Sequence, residues 1–252
     1  MERFRQHLLQ TGKIKSYLLY AIGEIVLVVV GILIALQINT WNEQYKDRQQ
    51  EQVYYCKLLE DVNQDQLLLE KLMVENESRI KASNEMIQLL QQESPGRKEV
   101  VNKMRAAIAK ITFTFKASLA AFDDLKSSGS LRIIKDSDLK SRLLNYYSSM
   151  EGYADVIDTN SDAAISVYHN PSKDFKEIGF HDIEDIKEEI DTALVDSEKL
   201  KAIAYPSEQI RKVLLSDAIF YLSINTRKKG LHQTVASEIL KMKKVLLKKC
   251  NE

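Results

Sequence analysis

From Tyr17 to Leu36 the chain reads YLLYAIGEIVLVVVGILIAL, twenty residues with a single charge, Glu24. At about 1.5 Å per helical residue such a run spans about 30 Å, the hydrocarbon thickness of a bilayer. Tyr17 and Tyr20 at one end and Trp41 at the other stand where interfacial aromatic anchors belong. The run is longer than the core of about 7–15 residues in a cleaved signal peptide, and Gln37-Ile38-Asn39-Thr40-Trp41 offers no small-x-small cleavage site. It reads as an uncleaved signal anchor. The unbroken uncharged stretch Ile25–Leu36 argues against a buried core helix.

Flanking charge sets the expected orientation. Arg3, Arg5, Lys13 and Lys15 precede the span, whereas Lys46 and Arg48 after it are offset by Glu43 and Asp47. Basic residues favour the cytoplasmic side, so the N-terminus is expected inside. No later stretch reaches 18 apolar residues. The expected organisation is a short cytoplasmic N-terminus at 1–16, a transmembrane signal anchor at 17–38 and an extracytoplasmic domain at 39–252.

Glu24 is the costly residue of the span. It lies seven residues inside Tyr17, roughly 10 Å along a helix. A charged carboxylate at such depth costs about 2.5–3.5 kcal/mol unless it is protonated or paired. Three roles remain open: a hydrogen bond across a helix–helix interface, a protonatable site of an ion-coupled subunit, or snorkelling to the interface. Gly31 and Ala35 form a small-x-x-x-small pair, and Glu24 lies seven residues before Gly31, near the same face. Such a face lets a second membrane helix approach closely.

The remainder reads as helical. Only 8 Gly and 3 Pro interrupt 252 residues, too few turn residues for an all-β or doubly wound chain. Residues 49–92 contain neither, and Tyr55, Leu59, Val62, Gln66, Leu69, Met73, Asn76, Ile80, Ser83, Ile87 and Leu90 recur at alternating steps of four and three. This seam suits an internal bundle helix first and an intermolecular coiled coil second. Ser94-Pro95-Gly96 ends it. A second helix is expected over 98–126, irregular at the β-branched and aromatic Ile111–Phe115, with Gly129 as a left-handed cap. A third starts at the N-cap Asp136 and stops at Asn170-Pro171. Small helices are expected at 182–194 and 197–204. A last long segment, 207–249, carries Gly230 as a possible break and lysines 241, 243, 244, 248 and 249 near its end. The expected fold is all-α: one N-terminal transmembrane helix followed by an elongated bundle of about four long antiparallel helices.

The chemistry-bearing residues form no recognisable motif. Thirty-six Lys and Arg balance thirty-six Asp and Glu, which argues against nucleic-acid binding. Cys56 and Cys250 have no C-x-x-C or zinc spacing; Cys56 reads first as a core residue, and a Cys56–Cys250 disulfide as the alternative. His7, His169, His181 and His232 make no local ligand pair, so no metal is expected. Phosphate-loop, dinucleotide and nucleophile-elbow motifs are missing. Asp123-Asp124 and Glu188-Glu189 diverge by about 100° on a helix and are unsuited to paired acid–base work. No catalytic residue, cofactor or enzymatic activity is expected.

The stretch Tyr20–Glu43, YAIGEIVLVVVGILIALQINTWNE, resembles the N-terminal signature of an uncharacterised membrane-protein family abundant in the Bacteroidota, with weaker echoes at Phe122–Ile134 and Asn145–Tyr147. The resemblance implies a bacterial inner membrane and no known reaction. The expected function is therefore protein association at the membrane, as scaffold, accessory or assembly subunit. Glu24, Gly31 and Ala35 would dock a second copy or another membrane protein within the lipid bilayer. An extracytoplasmic ligand sensor with a separate signalling partner is the second expectation, and an ion-coupled subunit using Glu24 the third.

Overall fold

The computed structural model describes residues 13–170, 173, 178–196, 199 and 207–251, with side chains from Leu18 onward except that of Asp182. The chain is all-α. Its helices are α1 (Lys13–Leu90), α2 (Arg97–Ile108), α3 (Ala120–Ser127), α4 (Ser137–Tyr168), α5 (Glu184–Glu188) and α6 (Glu208–Cys250), with short 3₁₀ turns at Ser130–Ile133 and Phe180–Asp182. The chain divides into two units, Met1–Val53 and Tyr54–Glu252.

From Lys13 onward the described backbone of the first unit is one uninterrupted helix, because residues 39–50, though polar, contain no breaker. Its most apolar 18-residue window has a mean hydropathy of 2.7, and none of it is buried. By length and composition this helix can cross a membrane or act as a signal sequence. The expected N-terminal segment 1–16 lies largely outside the described residues, as does the side chain of Tyr17.

The second unit is a helical bundle. Cys56 bonds to Cys250, Asn76 to Asn225, and Lys243 to Gln66, so α6 runs antiparallel to this part of α1. Ser161 meets Lys228 and Asp136 meets Lys249, so α6 is antiparallel to α4 as well. The seam on α1 packs inside one chain: Tyr55, Leu59, Val62 and Leu69 join Leu143, Met150, Val235 and Leu246 in one core. Met86, Leu90, Val101, Met104, Leu214 and Tyr221 belong to another.

Several expectations change or are decided. The helix foreseen over 98–126 is two helices, α2 and α3, separated by turns at residues 109–112 and a segment without regular structure at residues 113–119. The reason is the cluster Ile111-Thr112-Phe113-Thr114-Phe115, which has poor helix propensity and a fully buried Phe115. Gly230 does not split the last segment, and of the two readings of that glycine the continuous helix is the one found: α6 is continuous over 43 residues, with open space around that glycine. The helix expected over 182–194 shrinks to α5, and the one over 197–204 lies largely outside the described residues. Other expectations hold. Asp136 caps α4 by accepting from the Leu139 N–H at 3.0 Å, and Gly129 follows α3 with φ 68°, a conformation that favours glycine.

Cys56 is not a plain core residue but half of a disulfide that closes a loop of 194 residues. Cross-linking the unfolded chain over such a loop is worth about 3–5 kcal/mol. Reduction, or Cys56→Ser, is expected to lower the unfolding free energy by about that amount. Urea titrations with and without dithiothreitol, with a non-reducing gel to show the bridged form, check this.

Candidate functional site

Along α1, α4 and α6 the two apolar cores leave a gap at the same level. On α1 the first core ends at Leu72 and the second begins at Ala82; on α4 the limits are Ile157 and Ala164; on α6 they are Val235 and Ile224. Buried polar residues fill this layer: Asn76, Arg79, Asn160, Ser161, Asn225, Lys228 and His232.

Three of their hydrogen bonds go to carbonyls at or just past the end of α2. An α-helix leaves its last carbonyls without partners, and those carbonyls carry partial negative charge. Asn225 Nδ2 donates to the Ala107 carbonyl at 3.0 Å, Arg79 Nη1 to Ala109 at 3.2 Å, and Lys228 Nζ to Ile111 at 2.9 Å. Asn225 Oδ1 and Asn76 Oδ1 accept from the same guanidinium at 3.1 and 3.2 Å. Lys228 also donates to Ser161 Oγ at 2.8 Å. Two interior cations thus stand against a helix C-terminus. Lys110, just past the helix end, takes φ 53°, a left-handed conformation costing a non-glycine residue about 1–2 kcal/mol.

The other end of the interrupted segment is held by the opposite charge. Asp65 accepts from the Ser118 N–H at 2.6 Å, and Asp61 from the Ala121 N–H at 2.8 Å, in the first turn of α3. Tyr146 donates its hydroxyl to Asp65 at 3.0 Å. Leu119, the residue preceding α3, has no side chain able to cap it. Two carboxylates from α1 do so instead, at the positive end of the helix dipole. The same logic recurs at the end of α4, where buried Lys173 donates to the carbonyls of Val167 and Tyr168 and pairs with Asp217 at 2.6 Å.

Burial moves the titrations of this layer. Desolvation, reinforced by Arg79, pulls Lys228 down to about 7. Desolvation with both cations pulls His232 down to about 4, and neither of its ring nitrogens has a partner among the described residues. Desolvation raises Asp65 to about 6, against its hydrogen bonds from Ser118 and Tyr146.

The pinned segment forms one wall of a cavity of about 570 Å³, within the range of small-molecule sites. Lys110, Thr112, Phe113, Thr114 and Lys116 come from this stretch, Leu68, Lys71, Leu72 and Glu75 from α1, and Asp158, Ser161 and Asp162 from α4. A second cavity of about 550 Å³ shares Lys116 and Asp158 and is bordered by the stacked pair Phe122–Tyr147, 4.1 Å apart. Sequence reasoning passed over this site. Asp61, Asp65 and Arg79 each stand one position from the apolar seam and carry no motif; the only signal was the poor helix propensity of Ile111–Phe115.

The residues singled out from the sequence stand elsewhere. Tyr20, Glu24, Gly31, Ala35 and Trp41 are all exposed on the first unit's helix. A methyl group placed on Gly31 would meet nothing within 4 Å, so its face is open. Helical spacing keeps Glu24, Gly31 and Ala35 near one face. Among the described residues no three His, Cys, Asp or Glu side chains are grouped to hold a metal.

A family model described as a family of unknown function (DUF6090) matches residues 24–161. The chain belongs to that family. The match takes in Glu24, Gly31, Ala35, the pinned segment and α4 as far as Ser161, but not α6. No curated protein and no solved structure matches the chain.

The low proton affinity of Lys228 has a signed consequence. Between about pH 7 and its ordinary value of 10.5 the unfolded chain binds more protons at this site than the folded one, so stability contributed here rises with pH across that window. Lys228→Met is expected to flatten this rise. Urea titrations of both proteins from pH 7 to 9.5 check it; equal slopes would refute the assignment.

Proposed function

We propose that this member of DUF6090 is a single-pass inner-membrane protein that works by association, as a scaffold, accessory or assembly subunit. Its apolar helix crosses the bilayer as an uncleaved anchor, and the bundle of Tyr54–Glu252 stands outside the cytoplasm. The observation that carries this reading is the apolar helix whose 18-residue window is wholly unburied: in water it would expose a large continuous apolar surface, which a membrane removes. The Cys56–Cys250 bond supports an oxidising compartment for the bundle. The open face bearing Glu24, Gly31 and Ala35 is the docking element, for a second copy or for another membrane protein.

Crosslinking in native membranes tests the association. The wild type and Glu24→Gln are expected to give the same oligomer, because the amide still hydrogen-bonds, whereas Glu24→Leu and Gly31→Leu are expected to weaken it by about 1–2 kcal/mol. A wild-type chain that yields no crosslinked oligomer or complex overturns the reading. Topology has its own test. In a Cys56→Ser background, Cys250 is expected to react with a membrane-impermeant maleimide in intact spheroplasts; labelling only after lysis would put the bundle in the cytoplasm.

A second reading, an extracytoplasmic ligand-binding domain that works with a separate signalling partner, is favoured by the 570 Å³ cavity beside the pinned segment.

A further inference from the structure

The cavity beside the pinned segment has an unusual charge balance. Three lysines and three carboxylates line it, and of these Lys110 and Glu75 pair with each other at 3.6 Å. Lys71 and Lys116, and Asp158 and Asp162, make no ion pair among the described residues. The charges left without an ion pair come from different parts of the fold. Lys71 stands on α1 and Lys116 on the segment between α2 and α3; Asp158 and Asp162 are four residues apart on α4, on one face of that helix. Apolar surface is present as well, from Leu68 and from Phe113, which is 67% exposed.

A ligand of one charge sign would meet as many like charges as unlike ones here. A divalent cation is disfavoured by the lysines, and a simple anion by the α4 carboxylates. A molecule carrying both an ammonium and a carboxylate pairs with both, and its apolar side chains cover Leu68 and Phe113. The wall that would contact it is set before any ligand arrives, because Arg79, Lys228, Asp61 and Asp65 anchor the segment at both ends. We infer that this cavity is a binding site for a small zwitterion, an amino acid or dipeptide with apolar side chains. The inference rests on the ligand-binding reading of the cavity and does not depend on the membrane helix.

The test uses the full chain in detergent and the dipeptide Leu-Leu, with N-acetyl-Leu-Leu and Leu-Leu amide as probes of the same size lacking one charge. By calorimetry at pH 7.5, Leu-Leu is expected to bind saturably with Kd at or below about 1 mM. Each blocked form is expected to bind about tenfold more weakly, as for loss of one charge-assisted contact. Lys116→Gln and Asp162→Asn, both at exposed positions, are expected to weaken Leu-Leu by a similar factor without shifting the thermal midpoint. Absence of Leu-Leu binding overturns the inference, as does unchanged affinity in both variants. If a blocked form binds as tightly as Leu-Leu and Lys116→Gln or Asp162→Asn weakens it, the zwitterion is wrong while the cavity stands as a ligand site.

Discussion

The bundle depends on how it satisfies the backbone of one interrupted stretch. Between Ile108 and Ala120 the chain leaves helical geometry inside the domain, freeing carbonyls at one end and amides at the other. A buried polar backbone group without a partner costs about 1–3 kcal/mol, and several occur together here. Arg79, Asn225 and Lys228 answer the carbonyls, and Asp61 and Asp65 answer the amides. The charges follow the helix dipoles, with cations at the C-terminal end of α2 and carboxylates at the N-terminal end of α3. Burying each ion is unfavourable by several kcal/mol in isolation, and these contacts are what offset it.

This polar layer also explains why the bundle has two apolar cores and not one. At that level Arg79 of α1 and Asn225 and Lys228 of α6 reach the interrupted segment, and Asn76 and Ser161 bond to them, where an uninterrupted bundle would use Leu or Ile. Because Asn76, Arg79 and Asn225 bond to one another, the layer fixes the register of α1 against α6: Asn76 and Arg79 can engage Asn225 in only one alignment. The disulfide near one end, Cys56–Cys250, holds the same alignment covalently.

Much of the helical skeleton was legible in the sequence. Scarce glycine and proline, the three-four seam on α1, the Asp136 cap and the Gly129 turn are local signals, and local signals decide where helices start and stop. The candidate site was not legible in the same way. Arg79 and Lys228 are 149 residues apart, and each alone looks like an ordinary charge on an amphipathic helix. Asp61 and Asp65, one turn apart beside the seam, carry no sequence mark that they cap a helix 60 residues later.

The sequence by itself determined that the chain is helical, that one apolar span stands apart from the rest, and that the remaining helices are amphipathic enough to bury one face. Those properties follow from composition and period alone. Only the tertiary structure decided which polar residues lie inside, that Cys56 meets Cys250, and that a cavity forms beside the break between α2 and α3. The physical reason is that orphaned backbone groups exist only once the chain has turned away from a helix, and their partners come from whichever distant side chains packing brings within about 3 Å.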